Sequence, residues 1–194
     1  MKSATPGHHA GARVPRRGAV RVIGIDPGSA VTGYGVIESD GRSYKLIEYA
    51  GIRTPARFPF SERLLVICQK LEEVIGRLSP QACAVEETFY AVNVKSALKL
   101  GQVRGAVLLS AARAGVEVFE YSPLEVKSAI VGYGRAEKHQ VQAMVRTLLN
   151  LKQDPEPLDA SDALAVAICH ANTASTLARQ SVGEPTRGRT REAR

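Results

Sequence analysis

Four carboxylates stand out by where they fall. Asp26 closes the apolar run Val22-Ile23-Gly24-Ile25 just ahead of a Pro27-Gly28 turn, and Glu86 closes a second short run, Ala82-Cys83-Ala84-Val85. Asp159 and Asp162 stand three apart at the head of DASDALAVAICH. A carboxylate at the end of a buried strand is costly unless something positive meets it. Strand alternation points Asp26 either into the layer of Ile23 or off the strand's end. Each segment alone also has an ordinary reading. Asp-Pro-Gly is a common turn, and Asp is favoured at a helix N-cap and in the first helical turn. Taken together, three separate segments offer acids where strand ends and a packing helix can converge. Four carboxylates in one place repel one another unless divalent cations sit among them. An all-oxygen donor set without His or Cys suits Mg²⁺ or Mn²⁺. Two such ions about 4 Å apart stabilise the attacking and leaving oxygens of an in-line phosphoryl displacement.

The elements that must position these acids are legible as patterns. Strands are expected over 21–26, 32–38 and 43–53, joined by turn residues into an antiparallel meander. A helix is expected over 61–78, opened by Ser61 and stopped by Ser79-Pro80, followed by a buried strand over 82–86. Alternation after Cys83 and Val85 puts only one of Glu86 and Glu87 on the inner side and favours Glu86. A long helix over 93–114 and a strand over 116–120 come next. Ser122-Pro123-Leu124-Glu125 then has the form of a capping box with Pro at the first helical position. Two last helices fit 136–150 and 159–173. The order β-β-β-α-β-α-β-α-α-α predicts an α/β fold, a mixed five-stranded sheet with helices on both faces. The helix over 93–114 carries Ala97, Leu98, Val103, Ala106, Val107, Leu109 and Ala111 on more than one face, with Gly101 and Gly105 four apart. It reads either as the seam of a two-fold dimer or as the centre of its own core.

Charge divides the 194-residue chain. The formal net charge of +7 lies wholly in the ends: residues 21–172 balance to zero, while residues 1–20 hold Lys2, Arg13, Arg16 and Arg17 without an acid. The expected organisation is a disordered basic arm over 1–19, one domain over 20–173 and a disordered basic tail over 174–194. Such arms favour polyanions without specifying one. No secretory or membrane-spanning pattern is present, so a cytoplasmic, nucleoid-associated protein with no membrane partner is expected. Cys68, Cys83 and Cys169 each sit in apolar surroundings and read as structural thiols in a reducing compartment. His8-His9 has no partner in its segment that would make a metal site.

Longer motifs narrow the chemistry. GIDPGSAVTGYGVI, AVEETF, SALKLGQVRG, VGYGRAEKHQVQAMVRTLL and DASDALAVAICH, in this order from about Val20 to Asn172, resemble the bacterial RuvC Holliday-junction resolvases, RNase H-like endonucleases. The resemblance implies an RNase H-like fold and Mg²⁺-dependent, two-metal hydrolysis of phosphodiesters at four-way DNA junctions, in recombination and repair. It places the family's metal ligands on Asp26, Glu86, Asp159 and Asp162, its junction-centre aromatic on Phe89, and its phosphate-contacting lysines on Lys127 and Lys138. It further implies a homodimer making paired symmetric nicks, and cooperation with a branch-migration helicase complex of the RuvA–RuvB type. Taken singly, Lys127 and Lys138 read as solvated helix residues, and Phe89 as core or as a rim aromatic able to stack on bases. Two rivals belong to other classes. An actin-like ATPase shares a strand-Asp-x-Gly-Ser loop but clamps nucleotide between two such domains, and residues 21–172 supply one. A catalytically dead DNA-binding relative is expected to lack at least one of the four acids.

Overall fold

The computed structural model describes residues 18–87 and 93–183, so Phe89, residues 1–17 of the basic arm and residues 184–194 of the basic tail lie outside the described residues. The meander forms as β1 (Val20–Asp26), β2 (Val31–Ser39) and β3 (Tyr44–Arg53). A helix, α1 (Phe60–Leu78), leads to β4 (Ala82–Glu86), and α2 (Val94–Arg113) leads to β5 (Glu117–Tyr121). Three helices follow: α3 (Pro123–Val131), α4 (Lys138–Leu148) and α5 (Leu158–Gly183). The five strands lie in the order β3-β2-β1-β4-β5. β1 runs antiparallel to β2 and parallel to β4, with Ile25 opposite Tyr34 on one side and Val85 on the other. Because the two central strands are parallel, their last residues, Asp26 and Glu86, leave the sheet at the same edge.

Alternation along the strands builds two cores. Ile23, Ile25, Cys83 and Val85 pack with Ile67 and Leu71 of α1 and Val103 and Val107 of α2. Val22, Ala82 and Ala84 take the other face with Leu164, Val166 and Ile168 of α5 and Val126 and Val145 of α3 and α4. Asp26 therefore shares its face with Val22 and Gly24, toward α5, and not with Ile23. Burial pushes the Cys83 and Cys169 thiols up to about 12, which leaves them un-ionised packing residues.

The α5 helix sits against the sheet because three glycines leave room for it. Gly24 and Gly35 are cross-strand partners, and Gly33 is the partner of Asp26. A Cβ on Gly24 would run into the carbonyl of Ala163, one on Gly33 into that of Asp159, and one on Gly35 into Leu164. Missing side chains thus bring the backbone of α5 directly onto β1 and β2.

Helix ends follow local chemistry with two exceptions. The capping box at Ser122 and Glu125 is formed as expected, with the Ser122 N–H donating to Glu125 Oε2 at 2.8 Å. The start of α1 is not set by Ser61. The helix begins one residue earlier at Phe60, with Pro59 in the capping position and no side-chain cap. At the other end of the chain, α5 runs to Gly183, ten residues beyond the expected stop at 173.

Candidate active site

The three segments singled out by their acids meet at one edge of the sheet. Asp26 ends β1, Glu86 ends the neighbouring β4, and Asp159 and Asp162 lie in the first turns of α5, which Gly33 admits close to Asp26. The charges act on one another. Asp26 is pushed up to about 7, first by burial and then by Asp162, Glu86 and Asp159, with Lys138 pulling the other way. Glu86 is raised by burial and by Asp162, against the pull of Lys138 and Lys127. Both effects work by disfavouring the ionised form in a partly dry, negatively charged place. Glu86 is thus the acid coupled to the group, from the face of Ala82 and Ala84 and not that of Cys83 and Val85; Glu87 continues the backbone pairing, its N–H donating to the Tyr121 carbonyl at 2.7 Å.

Lys138 enters this group from the first residue of α4. Its Nζ lies 2.6 Å from Asp162 Oδ2. Burial works against the ammonium, but the bond to Asp162 and the charges of Asp162, Asp26 and Asp159 outweigh it and raise its pKa. Lys127, on α3, acts on Glu86 at longer range. Two lysines that are unremarkable as sequence therefore border the acids, one of them in direct contact.

The donor set answers which cation could be held. Among the described residues no three His, Cys, Asp or Glu side chains close into a ready metal cage. The four carboxylates are nonetheless electrostatically coupled and carried on two strands and a helix. Their donors are all hard oxygens, and the mutual repulsion that raises Asp26 is the kind a divalent ion relieves. The residues fit such an ion in the chemistry of their donors, which gather at one edge of the sheet.

Sequence reading missed the residues that hold the turn after Asp26. Thr32 Oγ1 donates to the Gly28 carbonyl at 2.8 Å, Thr54 Oγ1 donates to the Ser29 carbonyl at 2.8 Å, and the Thr54 N–H donates to Ala30 at 3.0 Å. The guanidinium of Arg63, on α1, donates to the same Ser29 carbonyl and, through Nε, to Thr54 Oγ1 at 3.2 Å. The signal was present: Arg63 stands four residues before Ile67, where the buried stripe of α1 calls for an apolar side chain. A groove of about 540 Å³ at the opposite end of β1, lined in part by Val20, Asp40 and His170, contains none of the four acids.

The chain is similar to known proteins over most of its length. The family model described as crossover junction endodeoxyribonuclease RuvC matches residues 22–170. The chain is 54% identical over 161 residues to the Koribacter versatilis crossover junction endodeoxyribonuclease RuvC, covering 82% of this chain and 97% of that one. It is 51% identical over 152 residues to the Ruminiclostridium cellulolyticum protein of the same name, covering 78% and 92%. Among solved structures, T. thermophilus RuvC in complex with Holliday junction substrate superposes with a TM-score of 0.78 at 40% identity, covering 81% of this chain and 96% of that one. The yeast mitochondrial Holliday junction resolvase Ydc2, at 12% identity and a TM-score of 0.59 over 84% of each chain, shares the fold. The family match runs unbroken from the strand that ends in Asp26 to the helix that begins with Asp159 and Asp162, and over that span the chain belongs to the RuvC family of crossover junction endodeoxyribonucleases.

Proposed function

We propose that the protein resolves four-way DNA junctions by hydrolysing phosphodiesters at the site formed by Asp26, Glu86, Asp159 and Asp162. The observation that carries this reading is the coupling of these four acids at one sheet edge, in a chain whose T. thermophilus relative was solved with junction DNA. Asp26, which feels the charge of the other three, would hold divalent ions, Mg²⁺ or Mn²⁺, together with Glu86, Asp159 and Asp162. When bound, a pair of such ions supplies Lewis acidity to both the attacking water and the departing 3′ oxygen. The strands and helix keep the carboxylates in place, while Lys138 and Lys127 offer positive charge to the phosphate. Cleavage leaves 5′-phosphate and 3′-hydroxyl ends. The folded domain is flanked by basic arms that add nonspecific attraction to DNA, and a branch-migration helicase complex presents the junction. The deciding assay compares nicking of synthetic four-way junctions and linear duplexes with and without Mg²⁺. Equal cutting of both substrates, or cutting without a divalent ion, would sink the reading.

A homodimer fits the two cuts that a junction requires. Its seam is the outer face of α2, whose other face is closed. Val103, Val107 and Ala111 are buried against α1 and the sheet, so they are core residues and not seam residues. Val94, Leu98 and Leu109 are 76%, 65% and 57% exposed, and the space beside Gly101 and Gly105 is open. These five residues fall along one helical stripe, apolar and free of side-chain bulk at its middle. Gly105→Glu is expected to give a folded monomer that makes unpaired nicks, read by sedimentation and by the ratio of single to paired cuts. Phe89→Ala is expected to slow cleavage more than it weakens binding, because phosphate contacts dominate affinity while a stacked base contributes about 1–3 kcal/mol. Equal losses in both measurements would remove the stacking role.

A further inference from the structure

The least expected polar group near the site is the Arg63 side chain. It is 9% exposed, on the face of α1 that otherwise buries Ile67, Leu71 and Val74. Among the described residues it enters no ion pair. Its bonds go to neutral acceptors, the Ser29 carbonyl and Thr54 Oγ1, and its guanidinium carbon lies 5.6 Å from the centroid of the Phe60 ring. A buried cation without a counter-ion is costly, and an apolar residue in its place would pack α1 better. Thr54 holds Ser29 through its hydroxyl and Ala30 through its N–H, but that hydroxyl can turn away unless something orients it. What Arg63 adds is a second donor on the Ser29 carbonyl and a fixed orientation for the Thr54 hydroxyl, which accepts from Arg63 and donates to Ser29.

We infer that Arg63, acting with Thr54, is a positioning residue for the reaction: it locks the turn 27–30 so that Asp26 is presented to the metal and the scissile phosphate in one orientation. The inference rests on Asp26 being a site residue. Asp26 has a strand on one side and this turn on the other. The strand is held by pairing to Gly33, whereas the turn is held by Thr32 at Gly28, Thr54 at Ser29 and Ala30, and Arg63 at Ser29. Removing the guanidinium leaves the strand and the threonine bonds in place and loosens the turn at Ser29, so the loss falls on placement of the carboxylate and not on the fold or on DNA affinity. A misplacement on the scale of 1 Å costs up to about a hundredfold in rate.

The test compares Arg63→Met, Arg63→Lys, Thr54→Val and Asp26→Asn with the wild-type full chain. Three quantities are measured: the thermal midpoint, junction affinity in Ca²⁺, and the single-turnover cleavage rate with its dependence on Mg²⁺ concentration. Arg63→Met is expected to bind junctions within about threefold of wild type, to cut about 10–100-fold more slowly, and to need more Mg²⁺ for half-maximal rate. Arg63→Lys, with one donor kept, falls between the two, and Thr54→Val shifts rate and Mg²⁺ dependence in the same direction. Should Arg63→Met not fold, these two variants carry the test. In a fifth variant, Arg63→Ala, which leaves room for the lost group, millimolar guanidinium is expected to restore part of the rate, and it restores none of that of Asp26→Asn. If Asp26→Asn is inactive while the Arg63 and Thr54 variants cut at the wild-type rate with unchanged Mg²⁺ dependence, the positioning role is wrong and the site stands. Rate losses that only track the loss of folded protein overturn it equally. If Asp26→Asn itself cuts normally, the site assignment has failed.

Discussion

Asp26→Asn is expected to abolish junction nicking, at least about a thousandfold, while the metal-free protein becomes more stable at pH 8. The two effects have one origin. On the proposed site the ionised carboxylate is what a divalent ion would need, and the amide replaces it at nearly the same size without the charge. The same ionised carboxylate is held in a partly dry place facing Asp162, Glu86 and Asp159, so its pKa is pushed up to about 7 in the folded chain. An unfolded Asp titrates near 4. The folded state therefore holds the proton more tightly, and stability is highest below the unfolded value and is lost as pH rises through the folded one. Between those limits the cost is at most about 4 kcal/mol, taken as about 1.4 kcal/mol per pKa unit. Urea unfolding of metal-free wild type and Asp26→Asn at pH 5 and pH 8 reads it directly. The wild type should lose stability across this interval and the variant should lose much less. Added Mg²⁺ should recover stability at pH 8 in the wild type only. A variant with wild-type nicking, or with the wild-type pH slope, would contradict the assignment.

The second large effect is expected from Gly33→Ala, a change of one methyl group. Its Cβ would meet the Asp159 carbonyl and lie 2.7 Å from the Ala160 nitrogen, both backbone atoms of the first turn of α5. Backbone cannot yield as a flexible side chain does, so the helix start must lift from β2 or the strand must bend away. Overpacking of this kind costs about 1–3 kcal/mol and occasionally more. The activity loss should exceed what instability explains, because the displaced turn carries Asp159, with Asp162 one turn on, away from Asp26. Gly76→Ala is the natural control, since that residue is an exposed glycine within α1 with nothing within 4 Å of a new Cβ. It should stabilise the protein by about 0.5–1 kcal/mol through helix propensity alone. Thermal midpoints and cleavage rates of the pair separate steric displacement from a general intolerance of substitution.

How far the sequence carried can be seen at particular residues. The expected strands over 21–26, 32–38 and 43–53 differ from β1, β2 and β3 by a residue at most at each end, because period-2 apolarity and turn residues are local signals. The strand over 82–86 is matched at both ends. The end of α5 was not legible: beyond Asn172 the run Thr-Ala-Ser-Thr has no apolar stripe, and its helix is an extension of a segment already held by the sheet. Asp26 was recognised as out of place, but its face depends on counting strand alternation from the core, and that became plain only once Val22 and Gly24 were seen to face α5. Gly33 and Gly35 read as ordinary members of an apolar run, since the helix they admit lies more than a hundred residues later. Arg63 went unread for the same reason: its partners, Ser29 and Thr54, come from a turn and a strand end that only tertiary structure brings to α1.

The position of α5 has a further consequence for the nascent chain. It is the last of the described elements to be synthesised, and it carries two of the four acids and covers the central strands that present the other two. During translation the meander and α1 can form from contacts close in sequence, as domains assemble from the N-terminus while the chain emerges. Once β4 has joined β1, the acids at positions 26 and 86 stand at one edge of the sheet, but two of the four acids are still missing and the α5 face of the sheet is uncovered. On the proposed site, nuclease chemistry therefore waits until α5 has emerged and packed, so the helix that covers the sheet also completes the set of acids.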